Sequence, residues 1–110
     1  MTDHEFQKHS EAALDALKRS LYEAETDAEF EVEEVNGALQ VNFDEPPGRF
    51  VVSPNSPVRQ IWISALSTSF KLDWSESTND FVLTKSNEGL KQLMSRLINE
   101  QLGSEDVTLR

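Results

Sequence analysis

Carboxylates occupy every second position along one stretch of the chain. Of all the patterns in the sequence, this one points most clearly to a chemical function. Carboxylate oxygens are the ligands preferred by hard cations such as Ca²⁺, Mg²⁺, Mn²⁺ and iron. In an extended strand, alternate residues lie about 6–7 Å apart, which allows weak sharing of cations but not one tight closed site. The pattern predicts a cation-binding or basic-partner-binding surface and leaves the cation open. Its six residues are Glu23, Glu25, Asp27, Glu29, Glu31 and Glu33.

The negative charge of the chain is concentrated in its first part. Residues 1–45 contain 13 Asp and Glu against 3 Lys and Arg, whereas residues 46–110 contain 7 of each class, so the net charge of −10 comes from the first segment. Such concentration costs self-repulsion in the compact state, which favours a positively charged partner. A solvated face that aids solubility is the alternative. Nucleic acid is disfavoured as a partner because phosphate contacts need Lys and Arg.

Other catalytic and metal-binding motifs are excluded. The chain has no Cys, which rules out disulfides, thiolate metal sites and Cys nucleophiles. His4 and His9 are spaced i, i+5 and do not face one ion on a helix. The acids from Glu23 onward match EF-hand spacing, but Ala28 stands where that loop needs glycine. Without phosphate-binding glycine motifs or a nucleophile elbow, we expect no catalytic activity.

The elements that must position the carboxylates follow from the periodicity. Residues 3–24 have the apolar spacing of an amphipathic helix, and residues 28–35 alternate as a strand with one wet face. Asn36-Gly37 predicts a type I′ hairpin turn, and Gly103 is placed to end a second helix. We predict an α+β two-layer sandwich: an antiparallel sheet of about six strands with both helices on one face, forming one domain over residues 1–110. The remaining predicted elements are strands at 39–43, 49–53, 58–64, 69–74 and 80–84, with Pro54-Asn55-Ser56-Pro57 as a strand break, and a helix at 87–102.

One face of this sheet is expected to remain in water. Ile61 and Ile63 fit the core register, so Trp62 points outward between Gln60 and Ser64. An outward Trp is either covered by its neighbours or serves as an anchor for a protein partner, and the pattern leaves both open.

The composition also indicates where the protein works. No apolar run approaches the roughly 20 residues that cross a bilayer. The acidic segment around Asp3 and Glu5 does not match a signal or transit peptide. We therefore expect a soluble cytoplasmic protein that does not bind membranes.

Two segments resemble the frataxin family. In that family a proline precedes a Gln-[Ile/Val]-Trp strand, and a strand with Asp and an aromatic residue follows. The matching residues here are Pro57-Val58-Arg59-Gln60-Ile61-Trp62-Ile63-Ser64 and Leu72-Asp73-Trp74. The N-terminal half is similar to bacterial members, through Asp3-x-Glu5-Phe6 and the alternating acids up to Glu33-x-Val35-Asn36-Gly37. Lys18 and Arg19 depart from this pattern, because bacterial relatives often carry acids there.

The resemblance implies a frataxin-like sandwich that acts in iron–sulfur cluster assembly. It implies weak, carboxylate-ligated binding of Fe²⁺ or Fe³⁺ by the six alternating acids, which also dock on a basic surface of the cysteine desulfurase complex. It further implies that Asn55, Gln60 and Trp62 face the scaffold protein on which clusters are built. Family members activate desulfurase turnover in some systems and inhibit it in others. The resemblance also implies that the protein can deliver iron. It further implies a monomer that can form oligomers when iron is present.

Two other functions stay open at this point. The carboxylates could oxidise or store iron, although the absence of a Glu-x-x-His pair disfavours a di-iron centre. The chain could instead be an acidic interaction module with no metal function.

Overall fold

The computed structural model describes residues 1–25, 30–104 and 107–110. It is an α+β two-layer sandwich in which two helices pack on one face of an antiparallel sheet, as predicted. The sheet is a meander in the order β1-β2-β3-β4-β5-β6-β7. Its elements are α1 (Asp3–Glu25), β1 (Phe30–Val35), β2 (Ala38–Asp44), β3 (Pro47–Asn55), a 3₁₀ helix (Ser56–Val58), β4 (Gln60–Ala65), β5 (Thr68–Ser75), β6 (Asp80–Leu83), β7 (Glu88–Gly89) and α2 (Leu90–Leu102).

The turn and cap predictions are confirmed. Asn36 and Gly37 have φ values of 53° and 81°, the pair of positive angles that a type I′ turn requires. Gly103 ends α2 in the left-handed conformation with φ 66°. At the other end of the chain, the Thr2 hydroxyl accepts the Glu5 backbone N–H at 3.1 Å, while the Glu5 carboxylate accepts the Thr2 N–H at 3.2 Å. This reciprocal capping box starts α1.

Two strand predictions were wrong in detail. The expected break at Pro54 does not occur, because β3 continues to Asn55 and Pro54 pairs with Ile61 of β4. The ladder between β2 and β3 ends at Val52, so Pro54 has a neighbouring strand on one side only and its missing N–H removes no ladder bond there. Residues 88–89 were predicted as the start of the second helix, but they pair with β6 as a short strand, so α2 begins at Leu90 and the predicted sheet of about six strands has seven.

The core lies between the helices and the inner sheet face. One aromatic contact joins the layers, where Phe6 of α1 meets Phe81 of β6 edge to face at 5.9 Å. Within the sheet, Phe43 of β2 packs on Phe50 of β3 at 4.8 Å. Ile61 and Ile63 are fully buried, as their register predicted, which leaves the intervening position on the outer face. None of the described helices is long and apolar enough to span a bilayer.

Candidate functional site

The acidic ridge, defined as Glu23, Glu25, Asp27, Glu29, Glu31 and Glu33, runs from the end of α1 to the first strand. Glu23 and Glu25 belong to the last turn of α1. Glu31 and Glu33 are exposed on the outer face of β1. Asp27 and Glu29 lie outside the described residues. The structure therefore places four of the six predicted residues at one edge of the sheet.

Glu25 has a structural contact in addition to its predicted role. Its Oε2 accepts the backbone N–H of Val32 at 2.8 Å. In the described part of the sheet, β1 is an edge strand with β2 as its one neighbour, and this N–H faces away from β2. The carboxylate therefore caps an exposed sheet edge, a position where unpaired backbone groups favour association with other strands.

The cations of α1 neutralise acids other than the exposed pair on β1. Lys18 lies 3.4 Å from Glu34, which points to the helical side of β1, and Arg19 lies 3.0 Å from Asp15. Among the described residues, Glu31 and Glu33 form no ion pair. Lys18 and Arg19, which depart from the acidic family pattern, therefore form no ion pair with Glu31 or Glu33.

The described carboxylates are not arranged as a coordination sphere. Within residues 1–25, 30–104 and 107–110, no group of three or more His, Cys, Asp or Glu side chains could hold a metal ion. The strand spacing explains this, because Glu31 and Glu33 are separated by a full two-residue repeat. The oxygen donors suit a hard cation such as iron, while their separation in the described part favours weak electrostatic attraction over tight ligation.

The second predicted cluster surrounds Trp62 on β4. The Trp62 Nε1–H donates to Oε1 of Gln60 at 2.9 Å, and Gln60 Nε2 donates to Oδ1 of Asp73 at 3.0 Å. Lys71 Nζ lies 4.9 Å from the centre of the Trp62 ring, within the range of a cation–π contact. Trp62 is half-buried, and its indole is held in one orientation by these neighbours.

The predicted partner-binding residues come together across two strands. Asn55 of β3 is the direct partner of Gln60, and Trp62 lies two residues further along β4. Lys71 and Asp73 were not predicted as functional residues. Their alternation around buried Leu72 indicated the outer face, but only the register shows that Lys71 pairs with Trp62 and Asp73 with Gln60.

The ridge and the Trp62 cluster share one surface. Glu31, Glu33 and Trp62 all lie on the outer face, and three strand spacings separate β1 from β4, about 14 Å. The row that begins at Glu33 continues through the neutral residues Gln40, Val51 and Ser64. The row that begins at Glu31 continues through Asn42 to Arg49, whose guanidinium donates to the Asn42 side chain. One partner assembly could therefore contact the acidic edge and the indole at the same time.

Comparison with known proteins gives consistent matches. Residues 1–104 match the family model of the frataxin-like domain. The iron-sulfur cluster assembly protein CyaY of Pseudomonas aeruginosa is 33% identical over 96 residues, covering 86% of this chain and 87% of that protein. CyaY of Azotobacter vinelandii is 30% identical over 94 residues, covering 84% of each. Among solved structures, frataxin from Psychromonas ingrahamii has a TM-score of 0.79 at 17% identity, covering 99% of this chain and 96% of that one. Yeast frataxin has a TM-score of 0.69 at 21% identity, covering 91% and 82%.

Proposed function

Because the chain belongs to the frataxin family, as the match over residues 1–104 shows, we propose that it is a non-catalytic regulator of iron–sulfur cluster assembly. Its bacterial relatives are named iron-sulfur cluster assembly proteins. The proposed partners are a cysteine desulfurase and the scaffold protein on which clusters form. The proposed setting is the cytoplasm, where the chain acts as a monomer that iron can assemble into oligomers.

The supporting observation is that Glu31 and Glu33, which form no ion pair among the described residues, lie on the face that also carries Trp62. Opposite charges on a basic partner would steer association and set its orientation, and such contacts weaken as salt rises. The Trp62 indole supplies an apolar anchor on β4, about 14 Å across the sheet from β1 and two residues along the strand from the row of Glu33. Trp is among the residue types that contribute most to binding. A desulfurase–scaffold pair that offers a basic surface beside a pocket for the indole fits both features.

Iron enters this proposal as cargo. The ridge carboxylates attract Fe²⁺ or Fe³⁺ weakly, and they are the same groups that face the basic partner. Iron would therefore compete with the desulfurase contact or bridge it, which couples iron supply to regulation and allows delivery. An acidic module without metal function predicts instead that Fe²⁺ leaves the amide resonances of Glu23, Glu31 and Glu33 unchanged.

The binding test uses charge reversal on the described ridge. The variant Glu31→Lys/Glu33→Lys is compared with Glu11→Lys/Glu76→Lys, which changes the net charge equally at exposed positions away from the ridge. Calorimetry with the desulfurase should show loss of binding for the ridge variant and near-normal binding for the control. Equal affinities for the two variants would refute the ridge as the docking surface.

The activity test measures sulfide production by the desulfurase with the scaffold present, with and without Fe²⁺. Titration of the wild-type chain should change the rate, and the ridge variant should not. The direction of the change gives the sign of regulation. If the rate stays constant under every condition while Fe²⁺ promotes assembly or oxygen consumption, an iron-storage or ferroxidase function replaces the regulatory one.

A further inference from the structure

A groove of about 560 Å³ lies between the N-terminal half of α1, the β5–β6 turn and the first turn of α2. Strands β5 and β6 lie toward the edge of the sheet opposite β1, so this groove is remote from the acidic edge. Its volume falls within the range of small-molecule sites, about 300–1,000 Å³. None of the described residues of the ridge or of the Trp62 cluster lines it.

The walls of the groove are apolar and firmly held. Along α1, Ala12 and Ala16 present only methyl groups to it. The His9 ring stacks on Trp74 at 3.9 Å between centroids with planes 16° apart, and Trp74 meets Phe81 edge to face at 5.2 Å. This aromatic wall and the alanine floor together form a surface for an apolar side chain.

Two opposite charges line the other side. The Asp80 carboxylate accepts the backbone N–H of Phe81 at 2.8 Å and also that of Leu90, where α2 begins. A carboxylate has about four acceptor positions, so roughly two remain available. Partial burial raises the pKa of Asp80, although the two backbone hydrogen bonds and the nearby Lys91 ammonium oppose this effect.

Lys91 supplies the positive charge. It lines the groove beside Asp80, yet no ion pair joins the two, and among the described residues Lys91 has no other salt-bridge partner. Its three ammonium donors are therefore available to an external acceptor. A purely anionic ligand would be repelled by Asp80 and a purely cationic ligand by Lys91, so the pair favours a ligand that carries both charges.

We propose that this groove binds a free α-amino acid with an apolar side chain, of the leucine or phenylalanine class. Its ammonium group contacts Asp80 and its carboxylate contacts Lys91. The apolar side chain lies against Ala12, Ala16 and the Trp74 wall. Binding of such a metabolite gives the protein a second site, separate from the surface proposed for the desulfurase complex.

The test is a ¹H–¹⁵N NMR titration with L-leucine, compared with 4-methylpentanoate and 3-methylbutylamine, which each lack one of its charges. L-Leucine should produce saturable shifts in the Trp74 indole and in the Leu90 and Lys91 amides. Each analogue should bind at least about tenfold more weakly, the cost of one charge-assisted contact. Absence of saturable shifts, or equal responses to all three compounds, would overturn the proposal.

Variants of the chain supply the control. Lys91→Met should weaken L-leucine binding by about tenfold or more, because the carboxylate loses its partner. Lys85→Met removes the same charge from an exposed position outside the groove and should leave binding unchanged. Glu31→Lys/Glu33→Lys should also bind L-leucine normally, which separates this site from the ridge. Equal weakening by Lys85→Met and Lys91→Met would refute a specific contact at Lys91.

Discussion

The β4–β5 turn stores backbone strain that a single substitution should release. Leu66 and Ser67 have φ values of 52° and 60°, close to the 53° of Asn36 in the β1–β2 turn. Both turns thus use the left-handed region at two consecutive positions, but only the β1–β2 turn has a glycine, at Gly37. A side chain with a Cβ is unfavourable in this region because the Cβ approaches the following carbonyl oxygen.

The size of the effect follows from two opposing terms. Ser67→Gly removes a left-handed residue with a Cβ, worth about 1–2 kcal/mol, but glycine gives the unfolded chain more freedom, worth about 0.4–1 kcal/mol. The expected net gain in unfolding free energy is about 0.5–1 kcal/mol. Ser67 is exposed. The reverse change, Gly37→Ala, places a Cβ where no atom lies within 4 Å, so its cost is purely conformational. Gly37→Ala should therefore lower the unfolding free energy by about as much as Ser67→Gly raises it.

Urea denaturation followed by far-UV circular dichroism at 25 °C measures both variants. Ser67→Gly should raise the denaturation midpoint with an unchanged m-value, and Gly37→Ala should lower it. The corresponding shift in Tm is about 2–8 °C per kcal/mol for a domain of this size. A lower midpoint for Ser67→Gly would refute the strain argument. Weaker binding of Ser67→Gly to the desulfurase complex would show that the strained turn belongs to the binding surface.

Three other substitutions test contacts seen in the structure. Arg96 donates to the Glu88 carboxylate at 2.8 and 2.9 Å and holds the pKa of Glu88 below its ordinary value of 4.5. The stabilisation from this contact is therefore fully present above pH 4.5. It is lost as the pH falls through the lower pKa that Glu88 has in the folded protein. Glu88→Gln should therefore lower the unfolding free energy by about 0.5–1 kcal/mol at pH 7 and flatten the acid limb of a curve of stability against pH. An unchanged acid limb would contradict a stabilising contact between Arg96 and Glu88. Leu109 of the C-terminal tail is buried in the core, and its N–H donates to Ser95 of α2. Leu109→Ala should lower the unfolding free energy by about 2 kcal/mol in urea denaturation, and a change below 0.5 kcal/mol would argue against its packing. Lys71→Ala should shift the Trp62 indole NMR resonance and lower stability by about 0.5–1 kcal/mol; an unmoved resonance would exclude the cation–π contact.

Local patterns predicted most of the fold. The helical stripe through Phe6, Leu17 and Leu21 is buried, and the Asn36-Gly37 turn has the expected angles, because periodicity and turn chemistry act over a few residues. The outward orientation of Trp62 followed from buried Ile61 in the same way. The strand break predicted at Pro54 was wrong for a non-local reason, because a strand tolerates proline only where no neighbouring strand needs its N–H.

The two acids near the start of α1 differ in whether the local sequence predicts their contacts. Glu5 joins the capping box with Thr2, three residues away, and the sequence motif alone indicates this pairing. Asp3, only two residues from Glu5, binds Arg59 at 3.0 Å across 56 positions of the chain, a contact that no local motif indicates.

The same division applies to the candidate site. The amino-acid order was sufficient to concentrate negative charge before residue 46 and to put Glu31 and Glu33 on one side of a strand, because alternation is a property of the extended backbone. The tertiary fold, in contrast, pairs Lys18 with Glu34 and places the Lys71 ammonium over one face of the half-exposed Trp62 ring. These contacts depend on strand register and helix placement, which bring together residues that no local spacing relates.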